Sequence, residues 1–470
     1  MTPSAPQKPF PNPNGMRSFW LTEPHALENH RSTETLPSEC DVVIIGAGYA
    51  GVSTAYHILQ DNPSPPSIVI LEARGHLRPS PFLPIVRHAE KHGLEAAAEL
   101  SDFEAEHIPA IREVIEREDI DCDFTMTRSY DVLLREDHCK EVGKAFNKLR
   151  KAGIPLKQDV QYTSKNVERI SGIKSAKGCF HYTAAHIWPY KFVLSLLSTL
   201  LSRHPSTTLN LQTHTPVTSI SETPDPTTGA WTVTTASRGS IKTKKLILAT
   251  NAYTAALAPQ YTDRIVPIRG ICSHVVTPAD KPAPYLPNTY SLQWGAEEYD
   301  YLIPRPDGSI IVGGGRRDYV ADAESWYGNT DDSEVIRSAQ GYFDGYMQRH
   351  FIGWEGSGAY TEQVWSGVMG FSTDLLPHAG PIPGKPNQYI LAGFTGHGMP
   401  MAFLTARGIA KMVRNCNAGD GSENEDVPFE ETGIPRLYKT TRERLECERN
   451  EILTENFGIK NIEGRGVMKT

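Results

Sequence analysis

The sequence has no paired cysteines, no long unbroken apolar run and no excess of positive charge, and each lack removes a class of protein. Its seven Cys, at 40, 122, 139, 179, 272, 416 and 447, include no C-x-x-C pair. An odd, scattered set points to reduced intracellular thiols rather than a disulfide framework. The longest apolar stretch, 42–59, is interrupted by three Gly and carries Ser53, Thr54 and His57. A membrane span needs about 20 continuous apolar residues, so no membrane partner is expected. A formal net charge of −8 gives no electrostatic reason to expect nucleic acid. The opening MTPSAPQKPFPNPNG lacks the apolar centre of a signal peptide, and the closing VMKT is not a peroxisomal tripeptide. The expectation is a cytoplasmic enzyme. No metal site is expected either: His181 and His186 flank no carboxylate, and His378 stands alone after Pro377.

What is present is an ordinary globular mixture, 39% apolar and 22% charged, over 470 residues. That length favours two domains. The Pro-rich beginning reads as an extended arm, with Phe19 and Trp20 pinning it to the surface of the body. Leu100, Phe103, His107, Ile108, Ile111 and Ile115 follow a helical period, and Pro109 should kink or split that helix. A strand is expected over 122–135 and helices over 137–152 and 190–203. The polar run NAGDGSENEDVPFE at 417–430 reads as a linker to a charged tail.

The chemistry concentrates in three segments. Asp41-Val-Val-Ile-Ile has a buried-strand pattern and runs into Gly46-Ala47-Gly48-Tyr49-Ala50-Gly51, a complete G-x-G-x-x-G. In that pattern Gly46 permits the tight turn, Gly48 admits a pyrophosphate and Gly51 allows close helix–strand packing. The helix that follows offers free amides and a positive dipole end to the phosphates. A second strand, Ser67-Ile-Val-Ile-Leu, ends in Glu72, 21 residues beyond Gly51, where an acid accepts the ribose hydroxyls of adenosine and repels a 2′-phosphate. Far downstream, Gly393-Phe394-Thr395-Gly396-His397-Gly398-Met399 joins a strand to a helix whose positive end would stabilise a reduced flavin. Lys245-Leu-Ile-Leu-Ala249-Thr250-Asn251-Ala-Tyr253 is a further strand ending in a small-residue turn. Together these favour FAD over NAD.

With GAGYAGVSTA, ILEAR, TPVTSI, LILATNAYT, DYLIPRPDGSIIVGGG, WSGVMGFSTDLLPHAGPIP and GFTGHGMPMAF in this order, the chain resembles the FAD-dependent D-amino-acid oxidase and glycine oxidase (DAO) superfamily. Within it the likeness is to the γ-glutamylputrescine oxidoreductase-like branch. The resemblance implies an α/β (α+β) fold: a Rossmann-like FAD-binding domain from segments 38–120, 165–262 and 363–416, and a β-sheet-based, glycine oxidase-like substrate domain from 121–164 and 263–362. An arm at 1–37 and a polar linker and tail at 417–470 flank them. It further implies that Val217 meets adenine through its backbone and that Gly393 to Met399 surround the flavin ring, with Trp365 to Phe371 nearby. The stretch WSGVMGFST has no Cys, so the FAD should be noncovalent. Relatives continue from the acid into a loop reading roughly Gly-Ala-Ser/Thr-Gly-Arg-Asn-Gly-Gly-His. Here Glu72-Ala73-Arg74 passes straight to Gly75-His76 and most of that loop is missing. Ala73, Arg74 and His76 complete the candidate cofactor set.

The implied reaction moves a hydride from the amine-bearing carbon of a small amine or amino acid to the flavin. The imine is then hydrolysed, and dioxygen or another acceptor takes the electrons. Because the cofactor carries the chemistry, no acid–base triad is demanded. The catalytic candidates are His397, which faces the ring or bonds to backbone, and Arg269 and Tyr301, which reach the substrate or are a surface Arg and a core Tyr. Arg316 and Arg317 after Gly313-Gly-Gly are a carboxylate fork or a solvated pair. The alternative function is a flavin-poor or cofactor-free relative that keeps the fold for binding or non-redox chemistry, because of the missing loop after Arg74.

Overall fold

Val42, Val43, Ile44 and Ile45 are all buried, so the strand they form must be covered on both faces, as in a parallel sheet. The structure, a computed structural model, describes residues 9–72, 85–151, 159–295, 298–414 and 427–457. Ala73, Arg74 and His76 lie outside the described residues, as does the junction where relatives carry the extra loop.

Two sheets organise the chain. The first places β6 (Leu209–Gln212), β2 (Ile68–Leu71), β1 (Glu39–Ile45), β9 (Ser240–Leu248) and β16 (Gln388–Ala392) side by side and parallel, with β15 (His378–Pro381) antiparallel at the edge. Alternation decides what each face meets. Val42 and Ile44 pack on helices Tyr49–Leu59, Pro189–Arg203 and Ala402–Val413. Val43 and Ile45 face the other way, toward Val217 and Val233 of β7 (Val217–Ile220) and β8 (Trp231–Thr235), of which β8 pairs antiparallel with β9 and β7 antiparallel with β8. This is the Rossmann-like half expected from the sequence.

The second sheet runs β14 (Tyr360–Ser372), β10 (Ile265–Val276), β13 (Ile310–Gly314), β12 (Tyr299–Pro304), β11 (Thr289–Gln293), β3 (Thr125–Leu133), β5 (Gly178–His186), β4 (Gln161–Thr163). Its pairs are antiparallel except β11 with β3. Two of these strands come from segments expected in the FAD-binding domain. β5 pairs with β3 and β14 with β10, so the sheets exchange chain more often than the sequence division supposes.

Around Pro109 the expected long helix is two, Leu94–Ala105 and His107–Glu118. The break falls just before the proline, which then sits in the first turn of the second helix, where no amide partner is needed. The arm is pinned by Phe19 and Trp20 as expected, while residues 9–17 stay exposed or half-buried. Phe19 and Trp20 are buried, Phe19 stacks on Trp188 at 5.2 Å, and the Trp188 indole donates to the Trp20 carbonyl at 3.0 Å. Residues 427–457, expected as tail, are also folded in: Phe429, Ile434, Tyr438, Ile452 and Leu453 are buried. Among the described residues no helix is long and apolar enough to cross a membrane.

Candidate active site

The C-terminal ends of β1, β2, β9 and β16 meet at one edge of the first sheet, the place where open α/β sheets bind ligands. Gly46 leaves β1 at φ 109°, and a Cβ there would lie 2.6 Å from the Ala249 carbonyl oxygen. A Cβ on Gly51 would lie 1.8 Å from the Gly46 carbonyl oxygen. Only glycine fits either position. At Gly48 a Cβ would meet nothing within 4 Å, because that residue lines a cavity instead. The helix begins at Tyr49 with no side-chain cap, leaving its first amides free for an anion.

Glu72 is fixed at both backbone atoms: its amide donates to Gln212 O at 3.1 Å and its carbonyl accepts from Thr215 N at 3.0 Å. Its carboxylate turns to the Gly-rich loop and accepts the Ala47 amide. The cavity they border, about 270 Å³, runs from Glu72 and Val217 past Gly46, Gly48, Tyr49, Ala50 and the turn Ala249–Asn251 to Phe394, Gly396, Gly398 and Met399. Gly367, Val368 and Met369 of β14 close its far side. The loop after β16 is held in shape by Asn251, whose Oδ1 accepts from Gly393 N at 3.0 Å and Phe394 N at 3.3 Å. Thr395, at φ 53°, donates its amide to Gly370 O at 2.8 Å.

That loop is a partition. Met399 lines a second cavity as well, of about 520 Å³, whose walls include Ile108, Ile111, Phe124, Tyr290, Tyr301 and Ile303. His397 faces this second space, with Nε2 3.3 Å from Glu104 Oε2; both side chains are buried. The Tyr301 hydroxyl lies 2.8 Å from Cys272 Sγ.

The structure thus brings His397 and Tyr301 together and leaves Arg269 out. Burial lowers the Arg269 pKa against the pull of Asp331 and Glu334, and its guanidinium donates to the carbonyls of Ser325 and Glu334. Arg269 lines neither cavity. Arg316 lies over the Phe457 ring at 4.2 Å and Arg317 pairs with Glu298 at 3.5 Å, away from both. Among the described residues no group of His, Cys, Asp or Glu is placed to hold a metal ion. Two contributions were missed in the sequence. Phe10, Pro11, Met16 and Leu21 of the arm line the first cavity, and Glu104 lines the second. Glu104 did carry a signal, being an acid on the apolar helical face, four residues after Leu100 and three before His107.

The profile of a family described as "FAD dependent oxidoreductase", DAO, matches residues 41–412. The chain belongs to that family. It is 23% identical over 450 residues to the γ-glutamylputrescine oxidoreductase of Escherichia coli (strain K12), covering 86% of this chain and 93% of that protein. Among solved structures it is similar to glycine oxidase from Geobacillus kaustophilus, with TM-score 0.62, 17% identity, and 86% of this chain and 99% of that one covered. L-Proline dehydrogenase from P. horikoshii gives TM-score 0.59 at 17% identity, over 81% and 93% of the two chains. At such identities the structural likeness speaks for the fold.

FAD is the cofactor of the family, and the first cavity fits it by its own geometry. Gly48 leaves room for a pyrophosphate beside free helix amides, and Glu72 and Val217 line the same cavity, where an adenosine would lie if FAD binds along it. At the other end Gly396 and Gly398 lead into helix Ala402–Val413, whose positive end suits the charge a reduced ring acquires.

Proposed function

We propose that this DAO-family chain oxidises a small amine or amino acid, with hydride transfer to noncovalently held FAD followed by hydrolysis of the released imine. The observation that supports this is the shared wall. One side of loop Gly393–Met399 faces the cavity that fits FAD, and the other faces a larger chamber bordered by His397 and Tyr301. When bound, FAD supplies the hydride acceptor and passes the electrons on to dioxygen or another acceptor. The chain's own residues do the placing. The Gly46–Gly51 turn holds phosphates, Glu72 holds ribose, and Asn251 fixes the loop between cofactor and substrate. Noncovalent attachment is supported by β14, whose WSGVMGFS stretch has no Cys to form a link. The proposal keeps cytoplasmic action and the two-domain division, with β5 and β14 counted in the substrate half.

The test starts with the visible spectrum of the purified protein. A flavin band is expected, and acid precipitation should leave yellow FAD in the supernatant. Colour retained in the pellet would refute the noncovalent claim, and released FMN the dinucleotide reading. Anaerobic addition of amines and amino acids should then bleach the band. A colourless protein that FAD cannot reconstitute would favour the cofactor-free alternative. Glu72→Ala should weaken FAD binding by about 1.5–3 kcal/mol, the loss of charge-assisted ribose hydrogen bonds.

A further inference from the structure

We infer that Glu104 is the anchor for the substrate nitrogen, and that the second cavity takes an amine with an apolar or aromatic body and no carboxylate beside the nitrogen. This rests on reading the second cavity as the substrate chamber.

Glu104 is 5% exposed on helix Leu94–Ala105, and a carboxylate is buried at large cost unless something meets it. Its partner is His397, at 3.3 Å, on the loop that separates the two cavities. The pair is not closed. Nδ1 of His397 is buried and has no hydrogen-bond partner, so the imidazole that meets Glu104 keeps one ring nitrogen unused. Among the described residues, the other charged groups around the chamber are matched already. Asp159 takes Arg128 at 2.6 Å, and Arg112 takes Glu116 at 2.7 Å on the exposed side of its helix. Burial raises the pKa of Tyr182, and its hydroxyl bonds Asp131 at 3.3 Å. Glu104 and His397 therefore form a polar pair at the end of the space next to the loop, with Ile108, Ile111, Phe124, Tyr290 and Ile303 as apolar wall and Tyr301 and His186 as further polar lining.

A chamber of this kind selects by charge at one end and by area along its length. An amine N–H donates to the Glu104 carboxylate, a charge-assisted bond in an environment with little water to compete. The carbon body of the amine packs on the aliphatic and aromatic walls. A carboxylate next to the nitrogen would be pressed against Glu104, like charge on like. Because His397 sits on the cofactor loop, a nitrogen held by Glu104 also lies at the cofactor end of the chamber.

The experiment is calorimetric titration of the FAD-loaded protein with benzylamine and with benzoate, probes of equal body and opposite charge. The expected result is that benzylamine binds more tightly than benzoate. Glu104→Gln should weaken benzylamine by about tenfold or more and narrow or reverse the preference. Ile303→Trp, which adds bulk at an apolar wall of the chamber, should weaken both probes. The inference is overturned if benzoate binds as well as benzylamine, if a folded Glu104→Gln keeps its benzylamine affinity, or if Ile303→Trp leaves both unchanged. The charge preference of the unaltered protein tests the inference even if Glu104→Gln fails to fold. Binding needs no turnover, so the functional reading fails separately: there, no amine would bleach the flavin although benzylamine still binds through Glu104.

Discussion

The side-chain oxygen of Asn251 holds the backbone amide of Gly393 at 3.0 Å, joining the end of β9 to the loop that leaves β16. The same oxygen takes Phe394 N at 3.3 Å, and Asn251 itself sits at φ 41°, a left-handed conformation Asn tolerates better than most residues. One side chain thus sets the distance between two walls of the first cavity.

Asn251→Ala leaves both amides without an acceptor and puts a residue less suited to that conformation into the turn. A cost of about 1–3 kcal/mol is expected. Because the loop is also a cofactor wall, FAD affinity should fall together with the melting temperature. Fluorescence titration of the apoprotein with FAD reads the first and thermal melting the second. A lowered melting temperature with unaltered affinity would show that the loop keeps its shape without Asn251.

The two inner glycines of the first loop should respond differently. A Cβ at Gly51 collides with the Gly46 carbonyl, so Gly51→Ala must push the helix off the strand and lower stability as well as FAD binding. At Gly48 nothing of the protein is in the way and φ is −74°, so Gly48→Ala should melt like the parent. It should nonetheless bind FAD more weakly, because the methyl occupies the pyrophosphate's approach. If Gly48→Ala binds FAD normally, the phosphates do not cross that wall.

The arm should control cofactor release. Phe10 and Pro11 line the first cavity, Asn12 donates to Asp331 at 2.7 Å, and the core contacts of Phe19 and Trp20 hold the arm in place. Deleting residues 2–15 removes that cover and keeps the anchor. The truncated protein should melt close to the parent and release FAD several times faster in a dilution assay followed by flavin fluorescence. An unchanged release rate would mean the arm only borders the cavity.

Much of this was legible in sequence because the governing interactions are local. Four consecutive β-branched residues, a Gly-rich turn and an acid at the end of the next strand specify the parallel sheet and the cavity at its edge almost alone. The rest depends on partners far apart in the chain. Glu104 meets His397 across 293 positions, and only the apolar period around it marked the acid as out of place. Arg269, by contrast, stands on the strand expected beside the substrate, but its guanidinium is spent on the carbonyls of Ser325 and Glu334, which no local pattern foretells. The polar composition of the last segment hid its folding. Phe429, Ile434, Tyr438, Ile452 and Leu453 are too widely spaced to form a periodic face, yet each finds the core separately.

The anchor of that last segment yields a pH prediction. Arg444 grips Asp374 with a fork, Nε to Oδ2 at 2.7 Å and Nη2 to Oδ1 at 3.0 Å, and also donates to the carbonyls of Leu376, Pro377, Tyr438 and Lys439. Burial alone would raise the Asp374 pKa. The charge and hydrogen bonds of Arg444, with His378 and the Ser372 hydroxyl, outweigh it and hold the carboxyl below its ordinary 3.8. A carboxyl whose pKa is depressed on folding contributes stability that is present above its unfolded value and is lost as pH falls through the folded one. Urea unfolding of the parent should therefore weaken from about pH 4 downward as this pair is protonated. Arg444→Ala should lose about 1–3 kcal/mol near neutral pH, since it leaves a half-buried acid and several carbonyls without their donor. Part of that difference should close as pH falls below about 4, where the unfolded chain takes up a proton that the native fork keeps off Asp374. If the two unfolding curves stay equally far apart from neutral pH to about pH 3, the fork stabilises by packing and backbone hydrogen bonds, and the ion pair adds nothing.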